Sequence, residues 1–106
     1  TCVRIGSMRS HSSALTIKLR KNISINEIEN IIKQTSEWTQ VVKNEKISTI
    51  KELSPASVSG TLKVSVGRIR KLNIGQDYLN VFTVGDQLLW GAAEPLRRML
   101  KIVLHY

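Results

Sequence analysis

An α+β fold, a mixed or antiparallel sheet covered by helices, follows from three observations on this 106-residue chain. Leu15, Ile17 and Leu19 alternate with Thr16, Lys18 and Arg20, the period-two pattern of a half-buried strand. Leu62, Val64 and Val66 alternate with Lys63 and Ser65 in the same way. Two other stretches carry apolar residues at helical spacing: Ile25, Ile28, Ile31 and Ile32, then Leu89, Ala92, Ala93, Leu96, Met99, Leu100 and Val103. Strands of this kind with amphipathic helices predict a layer of helices on one face of a sheet.

In chain order, Cys2 to Ile5 predict a short strand ending near Gly6-Ser7, and Ser10 to Arg20 a second one. Ser24-Ile25-Asn26-Glu27 has the form of a capping box and opens a helix that fades near Ser36. Glu37 to Lys51 carries little pattern, with Trp38 and Val41-Val42 as anchors and a turn at Asn44-Glu45. Ser54-Pro55 reads as an N-cap followed by proline at the first helical position, which predicts one turn over Pro55 to Ser59, ended by Gly60. Past Val66 the alternation slips, because Arg68 and Arg70 would inherit the apolar face; a bulge at Val66-Gly67 restores it. A turn over Asn73 to Asp77 leads into a strand over Tyr78 to Val84.

Asp86 then caps a terminal helix of about residues 86–104, with Arg97, Arg98 and Lys101 at its negative end. Pro95 has no amide hydrogen for the Gly91 carbonyl, so a kink is expected there. No linker divides the chain, and residues 1–106 read as one domain or a piece of one.

With 42% hydrophobic and 23% charged residues, the composition is that of an ordinary globular protein. No apolar run approaches the roughly 18 residues that span a bilayer. Cys2 is the single cysteine, so no intrachain disulfide forms and a reducing cytoplasm is the natural setting. The chain begins TCVRIGSM, without an initiator methionine or a signal-peptide layout, which suggests a piece of something longer. A net charge of +8 raises the question of nucleic acid. The basic residues are scattered, however, and 5% aromatics provide few stacking platforms for bases.

Three side chains are candidates for chemistry. Arg4 is either a surface or ion-paired arginine, or one held to grip an anion through its planar fork. His11 shares parity with Leu15, Ile17 and Leu19 and so points to the apolar side, as a core histidine or a general acid/base. The two are seven positions apart, so the turn around Gly6 must re-aim the chain if both line one pocket. Gln87, after the Gly85-Asp86 turn, is either a solvated first-turn residue or one that projects to a ligand. Cys2 looks like a buried strand thiol and not a nucleophile, and His105 sits at a frayed end. VGDQLLWGA lacks the spacing of a dinucleotide fingerprint.

CVRIGSMRSHSSALTIKL, ELSPASVSGTL, VGRIRKLNIG and FTVGDQLLWGAAEPLRRML together resemble the C-terminal segment of bacterial aspartate-semialdehyde dehydrogenases. The resemblance covers nearly the whole chain and about the last third of a complete enzyme. It implies the C-terminal part of a catalytic and dimerisation domain of the glyceraldehyde-3-phosphate dehydrogenase-like fold. The terminal helix would pack back on a cofactor domain absent from this chain. It further implies an NADP-dependent, cytoplasmic, homodimeric oxidoreductase that makes L-aspartate 4-semialdehyde from L-4-aspartyl phosphate, for lysine, threonine and methionine synthesis. No metal is implied.

By the same resemblance Arg4 binds the substrate carboxylate, His11 is the acid/base partner of an upstream cysteine, and Gln87 contacts the nicotinamide cofactor. The segment alone would then be inactive. One departure concerns the neighbours of His11: RSHSSA stands where a common form reads RCHSQA, placing serine at positions 10 and 13. A second reading, a small basic module for RNA or an acidic partner, rests on the charge and on Gly67-Arg68-Ile69-Arg70-Lys71. A dinucleotide fold with a cysteine-bearing loop upstream of Thr1 would decide for the enzyme.

Overall fold

A computed structural model of the chain describes residues 2–106. Strands β1 (His11–Lys18), β2 (Thr39–Val41), β3 (Val64–Leu72) and β4 (Gly75–Gly85) form one sheet in the order β1-β4-β3-β2. β4 runs antiparallel to both neighbours, and β2 lies parallel to β3. The helices are α1 (Ile25–Thr35), α2 (Lys46–Glu52), α3 (Pro55–Val58) and α4 (Glu94–Leu104), the last preceded by a π-helical turn at Leu89–Ala93. This is the α+β architecture that the patterns predict.

The helices do not share one face, contrary to expectation. Ile28 of α1 packs with Val66, Ile69, Leu79 and Val81, whereas Leu53 and Val58, from the α2–α3 region, pack with Val42 and Val84. Leu79 and Val81 have the opposite parity on β4 to Val84, so the two clusters lie on opposite sides of the sheet. A parallel β2–β3 pair requires a crossover, and α2 with α3 supplies it. Glu37 to Lys51, which carries little sequence pattern, therefore holds β2 and most of α2.

The local readings hold at the caps. Ser24 Oγ accepts the Glu27 N–H at 3.2 Å, and α1 ends at Thr35. Pro55 opens α3, and Gly60 follows it in the left-handed region at φ +77°. The register of β3 shifts between Gly67 and Arg70, with Arg68 at φ +54°, and so Ile69 returns to the core. That is the expected bulge, centred slightly later in the chain.

The expected strand at Cys2 to Ile5 is absent. That run is irregular and exposed, so Cys2 is an exposed free thiol and not a buried one. A strand forms only where a neighbour pairs with it, and none of the four strands of the sheet pairs with this run.

The terminal helix departs from regular α-helical bonding just before Pro95. The Glu94 N–H reaches back to the Leu89 carbonyl, a widened i→i+5 turn that absorbs the bond proline cannot make. Its apolar stripe is uncovered: Leu96, Met99, Leu100 and Val103 are all exposed. Only its base is fixed. Arg98 lies over Trp38 at 4.2 Å and Trp90 at 5.1 Å, and the two indoles meet edge to face at 5.4 Å. The Trp90 indole N–H donates to the Leu62 carbonyl at 3.1 Å.

Glu94, buried at this base, accepts from Arg97 at 2.7 Å and from Arg98 at 2.9 Å. The hydrogen bonds from Arg97 and then Arg98 outweigh burial and lower its pKa from an ordinary 4.5 to about 2. The folded pKa is the depressed one, so this contribution to stability is whole above 4.5 and lost as pH falls toward 2. Melting followed by tryptophan fluorescence between pH 2 and 6 is expected to show that decline. Glu94→Gln is expected to be less stable at neutral pH and to decline less steeply in acid. An unchanged acid slope in the variant would remove Glu94 from this account.

Candidate functional site

The site is organised around Asp86, fully buried at 0% exposure where β4 gives way to the terminal helix. As the sequence predicts, it caps that helix: Oδ1 accepts the Leu88 N–H at 3.0 Å, and its carbonyl accepts the Trp90 N–H at 3.0 Å. The sequence does not reveal its second role. Oδ2 accepts the Gly60 N–H and the Arg9 Nε–H, each at 2.7 Å. Burial alone would raise the pKa of this carboxyl. The Gly60 N–H, the Arg9 guanidinium and the Leu88 N–H outweigh it and hold the pKa below the ordinary carboxylate value.

Three distant segments therefore meet at one carboxylate: the run before β1, the corner after α3 and the turn after β4. Ser10, between Arg9 and His11, sits in the left-handed region at φ +73° and shares a 2.8 Å hydrogen bond with Ser59. Neither contact is visible in local pattern, because each joins residues about fifty or more positions apart. Arg9, Ser59 and Gly60 are the residues that sequence reasoning missed as parts of the site.

His11 stands opposite Gly85 in the β1–β4 pair, one residue before Asp86 and two before Gln87. The fold thus brings His11 and Gln87 to the same end of the sheet. His11 does not point into a covered apolar face, as its parity suggests, but is exposed. The reason is its place at the end of an edge strand: α1 packs over the β2–β3 side, and even Leu15 and Ile17 on β1 remain 41% and 38% exposed. Gln87 is partly buried, and its Oε1 is buried with no hydrogen-bond partner among the described residues.

Arg4 lies exposed in the irregular run and not on a strand. From Ile5 to Arg9 that run forms one wall of an open groove of about 630 Å³, whose other wall is Ser54 to Ala56 with Ser59. Bends at Gly6, Met8 and Arg9 and the left-handed Ser10 redirect the chain between Arg4 and His11, and neither of those two side chains lines the groove. The described residues contain no cluster of histidine, cysteine and carboxylate side chains able to hold a metal ion. No helix among them is long and apolar enough to cross a membrane.

Comparison with known proteins shows the family of this fold. A family model described as semialdehyde dehydrogenase, dimerisation domain, matches residues 1–90. An aspartate semialdehyde dehydrogenase from Francisella tularensis is 53% identical over 94% of this chain, with a TM-score of 0.91. The chain spans 28% of that protein's length. Aspartate semialdehyde dehydrogenase II from Vibrio cholerae shares the fold, with a TM-score of 0.76 at 20% identity, over 99% of this chain and 30% of that one. Matched by the family model over most of its length, this chain belongs to the semialdehyde dehydrogenase dimerisation-domain family.

Proposed function

We propose that residues 1–106 are the C-terminal part of the catalytic and dimerisation domain of an aspartate-semialdehyde dehydrogenase. The assembled enzyme converts L-4-aspartyl phosphate to L-aspartate 4-semialdehyde on the route to lysine, threonine and methionine. The observation that carries this reading is the 53% identity and superposable fold shared with the Francisella tularensis enzyme. A cytoplasmic location fits the exposed free thiol of Cys2.

In this reading the nucleophile is a cysteine outside these 106 residues, which displaces phosphate from the acyl phosphate and forms a thioester. His11, exposed at the end of β1, moves protons at that sulfur and at the substrate oxygen. Arg4 fixes the substrate carboxylate beside the groove that begins at Ile5. NADPH, when bound, would supply the hydride that reduces the thioester, and NADP would leave. Gln87 would hold its nicotinamide end, since the unpartnered Oε1 suits a carboxamide N–H donor. The exposed stripe Leu96, Met99, Leu100 and Val103 supports a terminal helix that packs on the cofactor domain, and the family description supports a homodimer.

A graft tests the reading: this chain replaces the matching segment of the Francisella tularensis enzyme. The graft is expected to sediment as a dimer and to turn over aspartate semialdehyde, phosphate and NADP. The isolated 106-residue chain is expected to show no turnover. A folded, dimeric graft without activity would count against the reading, as would turnover by the isolated chain.

Within the graft, Arg4→Lys keeps the charge and loses the two-pronged contact. Such a contact contributes about 1.5–3 kcal/mol, so KM for aspartate semialdehyde is expected to rise about 10–150-fold. An unchanged KM would return Arg4 to the surface.

A further inference from the structure

We propose that the Ser59-Gly60 corner is a positioning element for His11, acting through the hydrogen bond between Ser59 and Ser10. This rests on reading His11 as the acid/base. His11 is exposed, so no packing around the ring sets its direction, and the backbone leading into it must do so. That backbone passes through Ser10 at φ +73°, a conformation that side-chain-bearing residues avoid unless their surroundings impose it.

The surroundings here are specific. Ser59 Oγ donates its single proton to the Pro55 carbonyl at 2.8 Å, which leaves Ser10 as the donor in the 2.8 Å Ser10–Ser59 contact. The next residue, Gly60, is left-handed at φ +77° and gives its N–H to Asp86 Oδ2, the oxygen that also accepts from Arg9. Arg9, Ser10 and His11 are thus fixed in succession, by Asp86, by Ser59 and by pairing with Gly85. Asp86 itself directly precedes Gln87, so one corner ties the approach to His11 to the approach to Gln87. The contact depends on the serine hydroxyl: a cysteine at position 10 would be a much weaker donor.

The test is steady-state kinetics on the enzyme assembled with this chain, with a melt on each variant and His11→Asn as reference. Ser59→Ala is expected to lower kcat about tenfold and to leave KM for aspartate semialdehyde within about twofold. Ser59→Thr, which keeps the hydroxyl, is expected to restore kcat. Ser10→Gly adopts the left-handed backbone without strain and so keeps the fold, yet loses the contact, and it is expected to fall by the same factor. The double variant should be no worse than either single one, because both remove one interaction. Wild-type kcat in folded Ser59→Ala or Ser10→Gly, with His11→Asn inactive, overturns the positioning role and leaves the acid/base reading intact. Equal losses in Ser59→Thr and Ser59→Ala also overturn it. Full turnover by His11→Asn overturns the reading beneath it, and the proposal with it.

Discussion

His11→Asn, in the enzyme assembled with this chain, is expected to lower turnover about 10²–10⁴-fold while KM for aspartate semialdehyde stays nearly unchanged. Asparagine keeps one hydrogen bond but cannot take up and release a proton near neutral pH, so binding survives and the chemical step does not. The exposure of His11 sharpens the experiment, because little packing is lost with the ring and the melting temperature should hardly move. A core histidine would behave the other way, with a lower melting temperature and near-normal turnover in the folded fraction. Near-wild-type kcat in the variant would end the catalytic assignment.

Leu53→Ala is expected to cost about 2–5 kcal/mol of stability and to lower the melting temperature by ~10 °C or more. Leu53 is buried with Val42, Val58 and Val84, in the cluster that fastens the α2–α3 crossover to the sheet. Its side chain fills the notch left by Gly67, where an added Cβ would stand 2.9 Å from Leu53 Cδ2 and 3.3 Å from Val42 Cβ. Gly67→Ala alone therefore overpacks the site and is expected to cost about 1–3 kcal/mol. Combined with Leu53→Ala, the same methyl enters vacated space, and the double variant should be more stable than the sum of the two losses. Thermal denaturation of the four proteins decides this. Strict additivity would show that the two sites do not share the notch.

Features that depend on neighbours a few residues apart were legible from the chain alone. The Ser24 cap, the Pro55 start of α3, the left-handed Gly60 and the Asp86 cap each concern hydrogen bonds within one turn, and residue type at that spacing decides them. The bulge was legible for a related reason: Arg68 and Arg70 could not occupy a buried face, and the strand had to give way near Gly67. Pro95 likewise dictated a break in the helical bonding, although not that a π-helical turn would absorb it.

The candidate residues were legible by resemblance, and their surroundings were not. Parity placed His11 on an apolar face, but parity says only which side a residue shares with its neighbours. Whether that side is covered depends on where α1 lies, and α1 leaves the β1 edge open. Cys2 to Ile5 read as a strand because strand propensity is local, whereas strand pairing needs a partner from elsewhere in the chain. The same holds for the meeting of Arg9, Gly60 and Asp86, and for Ser10 with Ser59: a buried carboxylate needs donors, but nothing local names them. Sequence by itself settled the fold class, most of the caps and the family likeness, since these rest on periodicity, short-range hydrogen bonding and shared wording. Only the tertiary structure decided which faces are covered and which segments converge on Asp86, because burial and long-range pairing are properties of the packed sheet and not of any stretch within it.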